Sequence, residues 1–256
     1  MSLAIAAFCF HEVTDDPGST GFQRRGAAPF RLTPAGFGRH LDRIGAAGVS
    51  PRLVTELDTA DRHILLTFDD GGRSALTAAD QLEHRGWRGH FFIVTSRIGS
   101  RTFLAREELR ELRRRGHVVG SHSHTHPDIF RELPVERMRA EWRTSADLLS
   151  ELLGEPCESA SVPGGEISSA VLQSASDTGF RFVFTVEPVL RPSNVGQCMV
   201  LGRFLVKTAT DPSRVDQLAR FRGWGSALAV RRLKAVARRS VPPLYRYVVA
   251  RRARES

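Results

Sequence analysis

The feature that most constrains the fold of this chain is a recurrence of short apolar runs, each followed by a loop and then a helical stretch. The runs fall at 3–10, 63–68, 90–94, 117–121, 158–162, 180–186 and 199–206. Residues 63–68 are almost continuously apolar, as in a strand covered on both faces. Between the runs lie helical patterns with clear ends. Thr33 caps a helix that opens on Pro34 and carries Phe37, Leu41 and Ile44 on one face. Gly116, Gly154 and Gly179 stand where helices over 106–115, 134–153 and 168–178 should stop. Residues 14–31, rich in Gly, Pro, Asp and Arg, read as a long loop. Strand, loop and helix thus repeat about seven times, the pattern of parallel βαβ units. A closed barrel and an open doubly wound sheet both satisfy it. The barrel is favoured because chemically equipped residues follow several different strands, where a barrel gathers its site.

Length and charge set further bounds. A chain of 256 residues that is 41% hydrophobic can bury one large core. No apolar run reaches the roughly 20 residues of a membrane span. Residues 1–10 lack a basic leader and a cleavage pattern, and are expected to be a first strand rather than a signal peptide. Cys9, Cys157 and Cys198 have no metal-like spacing, which suits reduced thiols in the cytoplasm. The net charge is +9, yet from Arg222 onward there are ten Arg or Lys and one acid, Glu255, so the tail alone accounts for it. The expected division is therefore 1–222 for the main domain and 223–256 for a basic C-terminal extension. Within the extension Ala229, Val230, Leu233, Val236 and Ala237 share one helical face, opposite Arg231, Arg232, Lys234, Arg238 and Arg239. Such a helix either packs its apolar face on the domain, the simpler expectation, or lies on a membrane surface. Residues 242–247 are expected to anchor the chain end. Charge alone does not make a nucleic-acid binder, and no nucleic-acid partner is expected.

Two stretches carry chemistry. Asp69-Asp70 ends the run Leu65-Leu66-Thr67-Phe68 and precedes Gly71-Gly72. Adjacent carboxylates repel unless a cation neutralises one of them, although Asp-Asp-Gly-Gly is also good turn chemistry. His122-Ser123-His124-Thr125-His126 follows the run Val118-Val119-Gly120. His122 and His126 are four apart, a spacing that places two imidazoles on one face of a helical turn. With one carboxylate from elsewhere they make a set suited to a divalent metal, zinc above all. His124 is out of phase and is expected to be a bystander.

At these residues the chain resembles the polysaccharide deacetylases of carbohydrate esterase family 4, the NodB-homology domain. The motifs are Thr67-Phe68-Asp69-Asp70 and His122-Ser123-His124-Thr125-His126, and the resemblance spans roughly residues 4 to 206. It implies an α/β fold, a distorted (β/α)7 barrel, here with a basic helical C-terminal extension. It implies Asp70, His122 and His126 as metal ligands, Asp69 as general base, and Ser123 or Thr125 as supports of the ligand loop. A subgroup resemblance, to cytoplasmic deacetylases of bacterial surface-glycan and secondary-metabolite pathways, rests on wording such as Ser161-Val162-Pro163-Gly164-Gly165.

The chain departs from the family pattern on the leaving-group side. Ser161 stands where the family has an Arg that orients the base, and no His follows His126. Three readings stay open: activity has been lost, the missing groups come from elsewhere, or Glu166 is the acid. His11, at the end of the first run, is the preferred general acid, and Arg203 the preferred base-orienting group. The expected function is a metal-dependent N-deacetylase acting on an N-acetylated amino sugar in a glycan precursor, a lipid-linked sugar or a glycosylated small molecule. The competing class is a non-catalytic glycan-binding or scaffold protein. The expected place is the cytoplasm, at the inner membrane surface if the tail contacts it.

Overall fold

The computed structural model describes residues 3–58 and 61–240, with side chains as far as Leu233. In chain order the elements are β1 (Ala4–Phe10), β2 (Glu12–Val13), β3 (Arg31–Leu32), α1 (Pro34–Gly45), β4 (Arg62–Phe68), α2 (Ala75–Glu83), β5 (His90–Ile93) and α3 (Arg106–Arg114). They continue with β6 (Val118–Ser121), α4 (Val135–Leu153), β7 (Ser159–Ser161), α5 (Ser169–Thr178) and β8 (Phe182–Phe184). The last are β9 (Ser193–Val195), β10 (Cys198–Leu201), β11 (Arg203–Leu205), α6 (Pro212–Ala219) and α7 (Trp224–Ser240).

The anticipated helix ends are present. Thr33 Oγ1 accepts the Gly36 N–H at 2.9 Å, and Gly116, Gly154 and Gly179 all have the positive φ of a residue closing a helix. The anticipated strands are present too, apart from one division. The run at 199–206 divides at Gly202 into β10 and β11, and only glycine fits there, because a Cβ would lie 2.2 Å from the Glu187 carbonyl oxygen. Four elements had no strong signal in the sequence: the short pair β2 and β3, the largely exposed β9, and α6.

The main sheet runs β11-β1-β4-β5-β6-β7-β8-β10-β9, parallel except for the β10–β9 pair. β10 pairs with β8 while β11, the next residues along, pairs with β1. One stretch of chain thus joins both ends of the parallel series.

Alternation sorts the side chains into layers. Ala6, Phe8, Phe10, Ile64, Leu66, Phe68, Phe91 and Ile93 face the helices in the largest core cluster. Ile5, Ala7, Leu65, Phe92, Phe184 and Leu201 point the other way and fill an inner cluster. Continuing the inward positions toward the strand ends leads to Cys9, His11, Thr67, Asp69, His122, Ser161 and Arg203. The parallel register sets Cys9 beside Thr67 and Ala7 beside Arg203. The polar inward residues therefore gather at one end of the apolar interior.

The tail helix corrects the simpler expectation. Among the described residues its apolar face does not pack on the domain. Val230 is 52% exposed, Leu233 is 72% exposed and Ala229 is exposed, while Arg231, from the basic face, is partly buried. The reason lies at Arg231, whose Nε reaches Glu187 at 2.9 Å and whose Nη2 donates to the Gly165 carbonyl at 3.0 Å. Residues 242–247 lie outside the described residues.

Candidate metal and catalytic centre

Asp70, His122 and His126 come together at the strand ends, with one ligand atom from each within 4.8 Å of the others. His122 Nε2 is 3.5 Å and His126 Nε2 3.8 Å from Asp70 Oδ1. Ligand atoms bound at about 2.1 Å around a tetrahedral metal sit about 3.4 Å apart. His122 Nδ1 lies 3.0 Å from the Ser161 carbonyl, which accepts its proton and leaves Nε2 free to ligate. Burial pushes Asp70 well above the usual carboxylate range, and Asp69 and Glu12 push it the same way. Burial also pulls His126 well below the usual imidazole value and His122 below it. Burial disfavours the charged form of all three groups, so a carboxylate anion here is compensated by a positive charge beside it, and the neutral imidazoles keep a lone pair for a cation. The residues present fit a divalent metal.

The ligand loop is not the helical turn that four-residue spacing suggested. Residues 122–126 are non-helical, and Ser123 and His126 have φ of 64° and 57°. Asp70 likewise has φ of 81°. Left-handed conformations at three non-glycine residues cost of order 1–3 kcal/mol each and persist only where surroundings enforce them. Glu141 of α4 does much of that. Its Oε2 accepts the N–H groups of His124 and Thr125 at 3.0 and 2.7 Å, and its Oε1 accepts the Thr125 hydroxyl at 2.6 Å. Ser123 Oγ accepts the His126 N–H at 3.1 Å, so both hydroxyl residues support the loop as expected. His124 is turned away, with Nδ1 3.0 Å from Thr95 Oγ1, and stands outside the ligand group.

Asp69 sits beside this set. Its Oδ2 is 4.0 Å from His122 Nε2. Arg203 grips it with two parallel bonds, Nη1 to Oδ1 at 2.7 Å and Nη2 to Oδ2 at 2.9 Å. Arg203 is fully buried and spends its other donors on Thr67 Oγ1, Ser161 Oγ and the Thr185 carbonyl. Ser161 Oγ in turn donates to Asp69 Oδ2 at 3.0 Å. The guanidinium missing at position 161 thus arrives from β11. A serine at 161 leaves room for it, and bonds both partners. Burial alone would raise the Asp69 pKa, but Arg203 and then His122 overcome this and hold the carboxyl well below its usual range. It is ionised at neutral pH.

His11 lines the same cavity and stacks on Phe30 with centroids 4.8 Å apart. Its Nδ1 is buried without a hydrogen-bond partner. Burial lowers its pKa to about 4, against a smaller opposing pull from Asp69. Glu166 does not line the cavity and is bound by Arg131 at 2.5 Å, which removes it as the acid.

The cavity measures about 440 Å³. Its floor is Asp69, Asp70, His122 and His126, and its walls come from Phe22, Arg24, Phe30, Val186, Phe204, Lys207 and the tail residues Ala227, Val230 and Arg231. Phe22 lies 5.1 Å from the His126 ring, on a loop pinned where the buried Glu12 accepts the Gly21 N–H at 2.8 Å. Glu12, Glu141, Phe22 and the tail wall were not singled out for this role from sequence. Glu141 had a readable signal, an acid inside the stripe Met138, Trp142, Ser145 and Leu149 that α4 buries.

Comparison with known proteins agrees with this geometry. The family model described as Polysaccharide deacetylase matches residues 56–183. The chain is 25% identical over 137 residues to the putative polysaccharide deacetylase YxkH of Bacillus subtilis, covering 53% of this chain and 49% of that one. Over 78 residues it is 36% identical to the peptidoglycan-N-acetylglucosamine deacetylase PgdA of Listeria monocytogenes, covering 30% of this chain and 16% of that one. The chain thus spans about half the length of YxkH and less of PgdA. Among solved structures, BC0361, a polysaccharide deacetylase from Bacillus cereus, superposes with a TM-score of 0.72 at 16% identity, over 84% of this chain and 69% of that one. The Streptococcus pyogenes deacetylase PplD gives 0.71 at 18% identity, over 86% and 99%. At such identities these likenesses show a shared α/β fold with a mostly parallel sheet. The match over residues 56–183, which contains both the Asp69-Asp70 pair and the two ligand histidines, establishes that the chain belongs to the polysaccharide deacetylase family.

Proposed function

We propose that this protein is a metal-dependent N-deacetylase that hydrolyses the acetamide of an N-acetylated amino sugar. The observation that carries the reading is the Asp69–Arg203 pair, set beside the Asp70, His122 and His126 cluster on the floor of one cavity. A scaffold that only bound glycans would have no use for a buried, doubly held, ionised carboxylate next to a ligand set. The fold reading that goes with it is a distorted (β/α)7 barrel, supported by the way β10 and β11 join the two ends of the parallel series.

Asp70, His122 and His126 would hold the metal, for which zinc suits the donor set. When bound, such a metal supplies an acidified water and polarises the amide carbonyl. The protein's own groups do the rest. Asp69 takes the proton as water attacks, and Arg203 fixes both carboxylate oxygens in the plane that meets it. His11 stands as neutral imidazole at neutral pH, since its pKa is about 4. It is therefore no resting proton donor. It serves the departing amine by passing on the proton that Asp69 has taken, one of its ring nitrogens lying within 4.8 Å of an Asp69 oxygen. The apolar part of the wall, Phe22, Phe30, Val186 and Phe204, keeps bulk water from competing with the sugar.

The test is acetate release from a panel of N-acetylated amino sugars, free, oligomeric, nucleotide-linked and lipid-linked. Metal-loaded protein is compared with chelated protein. Metal-dependent release from at least one class is expected. Tight sugar binding without any release would instead make the protein a glycan-binding module.

A further inference from the structure

Helix α7 is anchored by the face that its sequence makes basic. Trp224 is buried, its ring 6.2 Å from that of Phe8, and Arg231 is bound to Glu187 and the Gly165 carbonyl. The anchoring puts Ala227, Val230 and Arg231 into the wall of the catalytic cavity. It also leaves Ala229, Val230 and Leu233 exposed, with Val230 at the cavity wall. These three are spaced three and four residues apart, so they form one exposed stripe. Among the described residues only Val135, on α4, is another large exposed hydrophobic side chain.

Charge says what this stripe fits. Ten of the 37 Lys and Arg lie from Arg222 onward with one acid among them, while the rest of the chain is balanced. An apolar stripe flanked by cations complements a surface that is apolar beneath and anionic on top. A nucleic acid would meet the cations but leave Val230 and Leu233 without a partner. We propose that α7 seats the protein on an anionic lipid surface, so that the catalytic cavity opens beside that surface and receives its amino sugar from it. The seating stands by itself, while the delivery of the sugar rests on the deacetylase reading.

The experiment is sedimentation of the full chain with phosphatidylcholine vesicles, with and without phosphatidylglycerol, at low and high salt. Binding is expected only to the anionic vesicles, weakening as salt screens the charges. The double variant Ala229→Glu with Leu233→Glu, neither of them a residue of the cavity lining, should lower partition by about tenfold or more. Its metal stoichiometry, and its turnover of a soluble substrate, should match those of the parent. No partition onto anionic vesicles, equal partition onto neutral ones, undiminished binding by the variant, or binding to an RNA oligomer in place of vesicles would each overturn the proposal. Sedimentation reads the seating without any turnover. A second arm compares acetate release from lipid-linked and soluble forms of one sugar, and equal rates with vesicle binding intact would remove only the delivery.

Discussion

At the scale of the residue, the account turns on Arg203. It is 134 positions away from Asp69 in sequence, yet donates a hydrogen bond to each oxygen of that carboxylate. Removing one partner of a buried ion pair strands the other, at about 3–5 kcal/mol. Arg203→Met should therefore lower urea-unfolding stability by about that amount, and Arg203→Lys, which cannot fork, should recover part of it while leaving turnover low. Position 161 offers a complementary check. Ser161→Arg alone places two guanidinium groups together in the interior and should lower stability severely, whereas Ser161→Arg with Arg203→Ser should regain some of what either loses. If the double variant is no better than the singles, the two positions do not share one role. The candidate metal and base positions were legible because each half of the cluster is contiguous, Asp69-Asp70 and His122 to His126. Arg203 was legible only as a charged residue at a strand in the right layer. Its bidentate grip depends on β11 pairing with β1, which no local pattern states.

At the scale of the element, α4 and β5 hold the site from behind. Glu141 spends both its oxygens on the ligand loop, so Glu141→Gln should weaken metal affinity about 10–100-fold in a calorimetric titration while helix content stays the same. An unchanged affinity would reduce Glu141 to ordinary packing. The local spacing rule failed at this loop because His122 and His126 converge through left-handed turns, and a shared helical face and such a turn look alike in sequence. β5 carries a separate consequence. His90 is fully buried, its Nδ1 paired with the Leu66 carbonyl at 2.9 Å and its Nε2 accepting the Val54 N–H at 2.9 Å. Burial lowers its pKa to about 4. Above the unfolded value of about 6.5 neither state binds the proton, and this contribution to stability is complete. As pH falls from there toward 4, the unfolded chain takes up a proton that the folded chain refuses, and about 3 kcal/mol is lost. Stability measured by denaturant should drop over that window, and less steeply in His90→Gln. At α7 the sequence set out an apolar and a basic face, but that Arg231 of the basic face is the one that packs was set by Glu187 and Gly165, both distant in sequence.

At the scale of the whole molecule, the βαβ recurrence carried most of the architecture, since parallel strands buried on both faces must read as apolar runs separated by helices. What it left open was how one stretch of chain is shared between β8 and β1, with β10 on one and β11 on the other and the division at Gly202. On the proposed function, the Asp70, His122 and His126 cluster should also tie folding to metal. If Asp70, His122 and His126 bind only in the native state, metal at 100 times its dissociation constant should add about 2.7 kcal/mol, and chelation should lower the melting temperature accordingly. An unmoved melting temperature would mean that the cluster holds no metal. The most direct test of the central claim is acetate release by the metal-loaded protein and by Asp69→Asn, with metal content measured on the same samples. One metal per chain in both, with release falling by about 10²–10⁴-fold in the variant, is the predicted result. Equal release by the two proteins, or a fully metal-loaded parent that releases no acetate from any N-acetylated amino sugar, would contradict it.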